Sequence, residues 1–426
     1  FTGYDTLVNE AKVLGLSDGE ELLDAVSTDD AEKDNVLVIL DNTPFYAESG
    51  GQVADTGTLT GNGARLEVHN VQKTSKGYFV HTCTLLKGTV RTGDTLLAEV
   101  DADRRHSIMR NHTSAHLLQR ALREVLGEHV HQAGSYVDEF RVRFDFTNFS
   151  AMSQEEIVQV EALVNRKIFE ALPVSVRVLP IEEAKKMGAL ALFGEKYGDT
   201  VRVIDASGWS VEFCGGTHVS NTAHIGCFRI LSESSVAAGV RRIEGTTGYG
   251  VLHLLDEREA LLRQTATVLK EDNVANLPTR AESLMAEMRE KDRELAHLQS
   301  EAAKQQADSL FQNSFDANGT PVYTALLPDA DANALRTLCD RIRDAKPDAV
   351  GILCGQAGGK SSLAVCCGKQ AVEKGLKAGE IVKRVASIAG GSGGGKPDFA
   401  MAGIKDSSKI EEALAAAPGI VAELVK

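Results

Sequence analysis

The chain has 426 residues, 43% hydrophobic and 25% charged, with a formal net charge of −14 at pH 7. That length suits roughly two to four domains, each with its own core, and no run of eighteen apolar residues is present to cross a membrane as a helix. The acidic balance argues against nucleic-acid binding by bulk attraction, although local basic patches still act within a Debye length of ~8–10 Å.

The chain opens on Phe1-Thr-Gly-Tyr4, with no initiator Met and no leader, and reads as a piece of a longer protein. After a short helical lead-in, residues 1–100 predict a small β-rich unit, a barrel in outline. Its strand candidates are Val36–Leu40, Thr58–Thr60, Leu66–Val68, Gly77–Val80 and Thr95–Ala98, separated by Gly and Asn turns. Between them Phe45-Tyr-Ala-Glu-Ser-Gly-Gly-Gln52 is too polar and glycine-rich for a strand interior.

Residues 101–248 predict an α+β domain. Leu117, Leu118, Ala121, Leu122 and Val125 form a helical stripe that begins at His112 and His116. Positions i and i+4 share a helix face, so both imidazoles can point at one ion. About a hundred residues later Cys214-Gly-Gly-Thr-His218 repeats the spacing, with two glycines to turn the backbone between a thiolate and a third imidazole. A lone His pair is more often plain surface or core, but the two halves together make a tetrahedral set suited to Zn²⁺. Metalloprotease chemistry is excluded, because Thr113 stands where the general-base Glu would follow the first His. Further strands are predicted at 141–146, 174–179, 200–205, 210–213 and 226–232, with helices at 154–172 and 182–187.

Residues 249–308 are charged and helical, with a break at Asn273–Pro278. Leu284, Met288, Leu295 and Leu298 make a narrow stripe, as in a helical hairpin or short coiled coil packed internally or at a dimer seam. Residues 309–426 alternate strand and helix and predict a small α/β domain. Its Gly390-Gly-Ser-Gly-Gly-Gly-Lys396 run is either a flexible turn or a cradle for phosphate or ribose. Gly358-Gly-Lys-Ser361 is no Walker loop, since Cys354 stands where its first glycine is required, and the 390–395 run lacks dinucleotide spacing. Seven cysteines, an odd count without small-protein spacing, fit a reducing cytosol. Arg104-Arg105, Arg110, Arg120, Arg123, Arg141, Arg143, Arg241-Arg242 and residues 369–384 are candidate phosphate contacts, or else solvated faces.

Phe1-Thr-Gly-Tyr4, Glu48-Ser-Gly-Gly-Gln52, Arg110-Asn-His-Thr-Ser-Ala-His116, Gln132-Ala-Gly-Ser135, Cys214-Gly-Gly-Thr-His218, Arg242-Ile-Glu-Gly245 and the glycine run before Lys396-Pro-Asp398 resemble, in order, the bacterial alanyl-tRNA synthetases downstream of their aminoacylation core. The resemblance implies a cytoplasmic editing hydrolase acting on Ser-tRNA and Gly-tRNA mischarged on tRNA(Ala). His112, His116, Cys214 and His218 would hold Zn²⁺, and Gln52 and Gln132 would line the aminoacyl pocket. The family often has Thr before the second His. With Ala115 there, Thr113 or Ser114 would recognise the serine hydroxyl. The terminal domain would bind tRNA, with Gly393, Gly394 and Lys396, and Arg242 of the 101–248 domain, as expected contacts, and would support a homodimer together with the coiled coil. Since no adenylate-forming segment is found, no aminoacylation is expected of the chain. A free-standing editing protein and a structural-zinc module that binds tRNA without hydrolysis are the rival readings. A phosphoesterase sharing the C-terminal domain is excluded by the lack of an Asp-His-His motif.

Overall fold

Residues 8–17, expected as part of a helical lead-in, form a strand instead. Along Val8–Ser17 the inward positions Ala11 and Val13 alternate with exposed polar ones, a period of two that a helix cannot bury. The computed structural model describes residues 1–28, 32–190, 198–310 and 314–425, and divides into two units, Phe1–Thr265 and Ala266–Lys426.

The first unit begins with an antiparallel barrel of β1 (Val8–Ser17), β2 (Lys33–Leu40), β3 (Gly57–Gly61), β4 (Ala64–Lys73), β5 (Phe79–Lys87) and β6 (Thr95–Val100). The order is β1-β2-β5-β4-β3-β6, and β1 pairs again with β6, which closes the ring and removes its edges. Leu59, Leu66, Val68, Leu85 and Leu96 fill the interior. His81 is also buried there, its ring held by Thr43 Oγ1 at 2.8 Å and Val38 O at 2.9 Å.

Helix α1 (Ala102–Leu126) follows directly, capped by the Asp101 side chain accepting from the Arg104 amide. It packs with α2 (Gln154–Phe169) on a four-stranded sheet ordered β7 (Gln132–Val137), β8 (Val142–Thr147), β13 (Val240–Thr247) and β12 (Phe228–Ala237). A second, three-stranded sheet comprises β9 (Val174–Pro180), β10 (Thr200–Ala206) and β11 (Ser210–Phe213). Strands β7 and β13 were not anticipated. Gly134 and the polar Arg241-Arg242 pair hide their alternation, because charged side chains stand at successive positions, Arg242 pairing with Asp145 and Arg241 with Glu233.

One buried charge joins the barrel to α1. Arg105 is 1% exposed and donates through Nε to Asp55 Oδ1 at 2.8 Å, while its other nitrogens bond Asp55, Gly3 O at 2.7 Å and Pro44 O at 2.9 Å.

Helices α3 (Tyr249–Val268) and α4 (Leu277–Leu310) occupy the charged stretch, with Pro278 in the first turn of α4, where its missing N–H has no partner to lose. Met288, Leu295 and Leu298 of the predicted stripe are exposed. In the second unit a six-stranded sheet runs β14 (Phe315–Asp316), β15 (Pro321–Leu327), β16 (Val350–Ala357), β17 (Lys360–Cys367), β19 (Phe399–Ile404) and β18 (Ser392–Gly395), with only β15 and β16 parallel. Helix α5 (Ala332–Ala345) covers one face, and α6 (Ala378–Ile388) and α7 (Ile410–Leu424) cover the other. The glycine run expected as a loop is therefore the edge strand β18. A Cβ on Gly393 would lie 2.2 Å from Met401 O, so only glycine permits that pairing.

Removing one member of a buried pair strands the other, at a cost of ~3–5 kcal/mol. Arg105→Ala is expected to lose about that much stability in urea denaturation of the chain. Burial pulls His81 down to about 4, against 6.5 for a free imidazole. Because the folded value is the lower, stability is complete above pH 6.5, falls as pH drops from 6.5 towards 4, and then levels off. The loss should be on the order of 3 kcal/mol in denaturation of the wild type and absent over that window in His81→Gln.

Candidate metal centre

Four donors, two from a helix and two from a loop, meet beside the barrel. His112 and His116 stand one turn apart on the buried face of α1, Cys214 follows β11, and His218 lies four residues on, after a loop of two glycines and Thr217. Their ligand atoms lie within 4.8 Å of one another. Cys214 Sγ is 3.4 Å from His112 Nε2 and 3.3 Å from His218 Nε2. These separations match the ~3.3–3.8 Å edges of a tetrahedron built from zinc bonds of ~2.0–2.3 Å.

The second nitrogen of each ring determines which one is offered. His112 Nδ1 donates to Gln52 Oε1 at 2.7 Å, an oxygen that also accepts the Thr217 amide at 2.9 Å. His116 Nδ1 donates to Glu212 Oε2 at 2.5 Å. The Thr113 hydroxyl gives its proton to Met109 O at 2.8 Å, so towards His218 Nδ1, 3.2 Å away, it accepts. Each Nδ1 therefore carries a hydrogen and each Nε2 is turned to the cluster, the arrangement that outer-shell partners impose on metal-binding imidazoles. His116 Nε2 is buried without a hydrogen-bond partner among the described residues, a costly omission that a cation would relieve. These residues fit zinc.

The electrostatics agree. Burial alone would raise the Cys214 thiol, but His112, His218 and their hydrogen bonds hold it well below the usual thiol range, as the thiolate a metal requires. Burial takes His218 down to about 3. It also disfavours charge on His116, yet the Glu212 carboxylate prevails and lifts that group to about 10, so a metal bound at its Nε2 would displace a proton.

A cavity of about 260 Å³ opens onto this cluster, lined by Tyr46, Ser49, Gly50, Arg202, Phe213 and the Cys214–Gly216 loop, with His112 at its floor. Gln52 does not line it. That side chain is fully buried behind His112, its Nε2 donating to Thr217 Oγ1 at 3.0 Å, so its place is to orient a ligand. Thr113 is engaged behind His218 in the same way. Ser114 is buried and donates back to Asn111 O at 2.8 Å, away from the cavity. Gln132 begins β7, partly exposed and without a side-chain hydrogen bond among the described residues. Glu212 and Arg202 were missed by sequence reasoning, although alternation along β11 puts Glu212 on the same side as Cys214.

Most of the candidate phosphate-binding arginines are already paired: Arg104 with Glu139, Arg120 with Glu124, Arg141 with Glu244 and Arg241 with Glu233. Arg242 grips Asp145 with two bonds of 2.6 and 2.8 Å. In the second unit, Gly394 and Lys396 border a cavity of about 470 Å³ with Arg336, Arg343 and Phe399, the Arg336 guanidinium lying 5.0 Å from the Phe399 ring centre. Gly393 is held in the β18–β19 pairing.

Three family models match the chain: tRNA synthetases class II (A) over residues 1–104, the threonyl and alanyl tRNA synthetase second additional domain over 201–244, and the DHHA1 domain over 319–423. The first match corrects the expectation that no part of the synthetase core falls in the chain, since residues 1–104 belong to a class II synthetase model. Its signal lies in a barrel rather than in recognisable adenylate-binding residues, which is why the sequence reading passed over it. The chain is 47% identical over 422 residues to an alanine--tRNA ligase of Acetivibrio thermocellus, covering 99% of this chain and 47% of the relative. It is 43% identical over 415 residues to that of Bacillus subtilis, covering 97% and 47%. The chain thus spans about half the length of the curated relatives it matches. A crystal structure of the C-Ala domain from Aquifex aeolicus alanyl-tRNA synthetase aligns with 26% of this chain and 98% of its own at 23% identity, with a TM-score of 0.25.

The Glu212 bond to His116 gives a direct test of the donor arrangement. Loss of an outer-shell partner typically weakens metal binding 10–100-fold. Glu212→Ala should lower zinc affinity by about that factor in chelator competition, with near-wild-type circular dichroism.

Proposed function

We propose that this chain is part of an alanyl-tRNA synthetase and that its first unit hydrolyses the ester of tRNA(Ala) wrongly charged with serine or glycine. The observation that carries this reading is the set of three oriented imidazoles and a thiolate, of which His112 and Cys214 line an open cavity. The similarity to alanine--tRNA ligases along nearly the whole chain supports the substrate class.

The selectivity problem suits such a site. A pocket for alanine rejects a slightly different side chain by only about 1–3 kcal/mol, so a second site with different chemistry adds what the first cannot supply. When bound, zinc supplies positive charge that polarises a carbonyl or makes a nearby water more acidic. The chain's own residues do the positioning. Gln52, Glu212 and Thr113 fix the three rings, and the cavity walls formed by Tyr46, Phe213 and Arg202 receive the aminoacylated end. The second unit, with Lys396, Arg336 and Phe399 around one cavity, offers cations and a π-face for RNA. Tethering it to the hydrolytic unit raises the effective concentration of the ester. A homodimer through the exposed stripe of α4 belongs to the same proposal.

One observation favours a second reading. Four protein donors are what a closed, structural zinc site uses, whereas catalytic sites keep a position open. In that case the ion orders the Cys214–His218 loop and the unit binds tRNA without turnover.

Serine release from Ser-tRNA(Ala), compared with Ala-tRNA(Ala) and with Cys214→Ala, separates the two. Hydrolysis of the seryl ester that spares the alanyl ester and drops roughly 100-fold in the mutant is expected. Tight tRNA binding by zinc-loaded protein without release of serine above buffer would leave the structural reading.

A further inference from the structure

The Cys214-Gly215-Gly216 loop has all its carbonyls tied down on one side. Arg202 Nη1 donates to Cys214 O at 2.8 Å and to Gly216 O at 2.7 Å, and the Tyr4 hydroxyl donates to Gly215 O at 2.5 Å. The two clamping side chains brace each other, with the guanidinium 4.0 Å from the Tyr4 ring centre.

The amides are accounted for one by one. Cys214 N–H donates to Arg202 O at 3.0 Å, Gly216 N–H to Cys214 Sγ at 3.4 Å and Thr217 N–H to Gln52 Oε1 at 2.9 Å. Gly215 N–H alone in this run has no hydrogen-bond partner among the described residues. The Cys214–Gly215 peptide is trans, so this N–H points opposite to the Cys214 carbonyl, away from the Arg202 guanidinium that holds it. Gly215 is exposed and lines the cavity beside His112 and Cys214. An unpaired backbone donor in a loop whose carbonyls are held by two mutually braced side chains has the form of a preorganised oxyanion donor.

We propose that the Gly215 amide donates to the oxyanion of the ester under attack, with Arg202 and Tyr4 as its positioning residues; this rests on the hydrolytic reading above. A water oxygen bonds to the ester carbonyl carbon, and the carbonyl π pair moves onto its oxygen, where Gly215 N–H meets the new charge. The pair then returns to re-form the carbonyl as the bond to the ribose oxygen breaks. That oxygen leaves as a hydroxyl with one water proton, and the second proton departs from the amino acid's new carboxyl group.

The test uses the whole chain, Ser-tRNA(Ala) and cobalt in place of zinc, so that thiolate-to-cobalt absorption reports the metal site independently of turnover. Gly215→Pro deletes the donor at a position outside the left-handed region, while Gly215→Ala keeps it, and a Cβ there meets nothing within 4 Å. Loss of one such donor costs about 10²–10³ in kcat. The proline variant should fall by that factor with KM and the cobalt spectrum unchanged, and should lie at least ~30-fold below the alanine variant. A proline variant with intact spectrum within threefold of wild type, or an alanine variant as impaired as the proline one, overturns the assignment. Should proline prevent cobalt loading, Tyr4→Phe and Arg202→Lys decide. A lower kcat at constant KM and spectrum upholds the assignment, and an unaltered kcat overturns it. If the wild type releases no serine, the hydrolytic reading fails first and takes this inference with it.

Discussion

The buried ion pair between Arg105 and Asp55 is the constraint from which the site follows. Arg105, His112 and His116 are separated by seven and four residues, and at 100° per residue all three lie within about 20° of one line along α1. The contact that seats the helix on the barrel therefore sets the rotation at which its imidazoles face inward. Seven residues also place the first imidazole about 10 Å along the axis from the anchor. Because the same guanidinium holds Gly3 O and Pro44 O, it fixes the Phe1–Tyr4 segment whose last side chain clamps the Cys214 loop. Burying that charge is unfavourable in itself. It is tolerated because almost every donor is matched, and it yields orientation rather than net stability.

The donor cluster depends on the same kind of full satisfaction. Three imidazoles and a thiolate crowded together out of water would repel or protonate one another unless their outer atoms were held. Gln52 comes from the barrel loop, Thr113 from α1 and Glu212 from β11, so the three orienting groups arrive from three different elements. This gives the barrel a part in the site. Its loop contributes Gln52 and its neighbour Gly51 packs against the Ser135 carbonyl, where a Cβ would come within 2.3 Å. The four-donor cluster and the residues matching the synthetase model thus form one structural assembly within the first unit.

Much of this was legible in the residues. The His112/His116 and Cys214/His218 spacings picked out the four side chains that cluster, because four-residue steps on a helix and across a glycine turn are local geometry. Period-two alternation located most strands, and the helical stripe after His116 located α1. The failures have equally physical causes. Residues 8–17 were mistaken for a helical lead-in because their buried residues include Ala and their outward ones are charged. The glycine run at 390–395 looked like a loop since nothing local reveals that β19 will press against it. The basic clusters looked available to phosphate because their carboxylate partners lie far off in sequence, as with Arg242 and Asp145.

By itself, the sequence determined the four donors, the order of β-rich, α+β, helical and α/β segments, and the absence of an apolar helical span, since each rests on residue type and short-range periodicity. Only the tertiary structure decided which nitrogen of each histidine faces the cluster, that Gln52 and Thr113 stand behind ligands rather than in the cavity, which arginines are already paired, and that one amide of the Cys214 loop is left free. Those outcomes depend on hydrogen bonds between groups as many as two hundred residues apart, such as Tyr4 and Gly215. No local pattern encodes such a bond, because its geometry exists only after the barrel, α1 and β11 have packed.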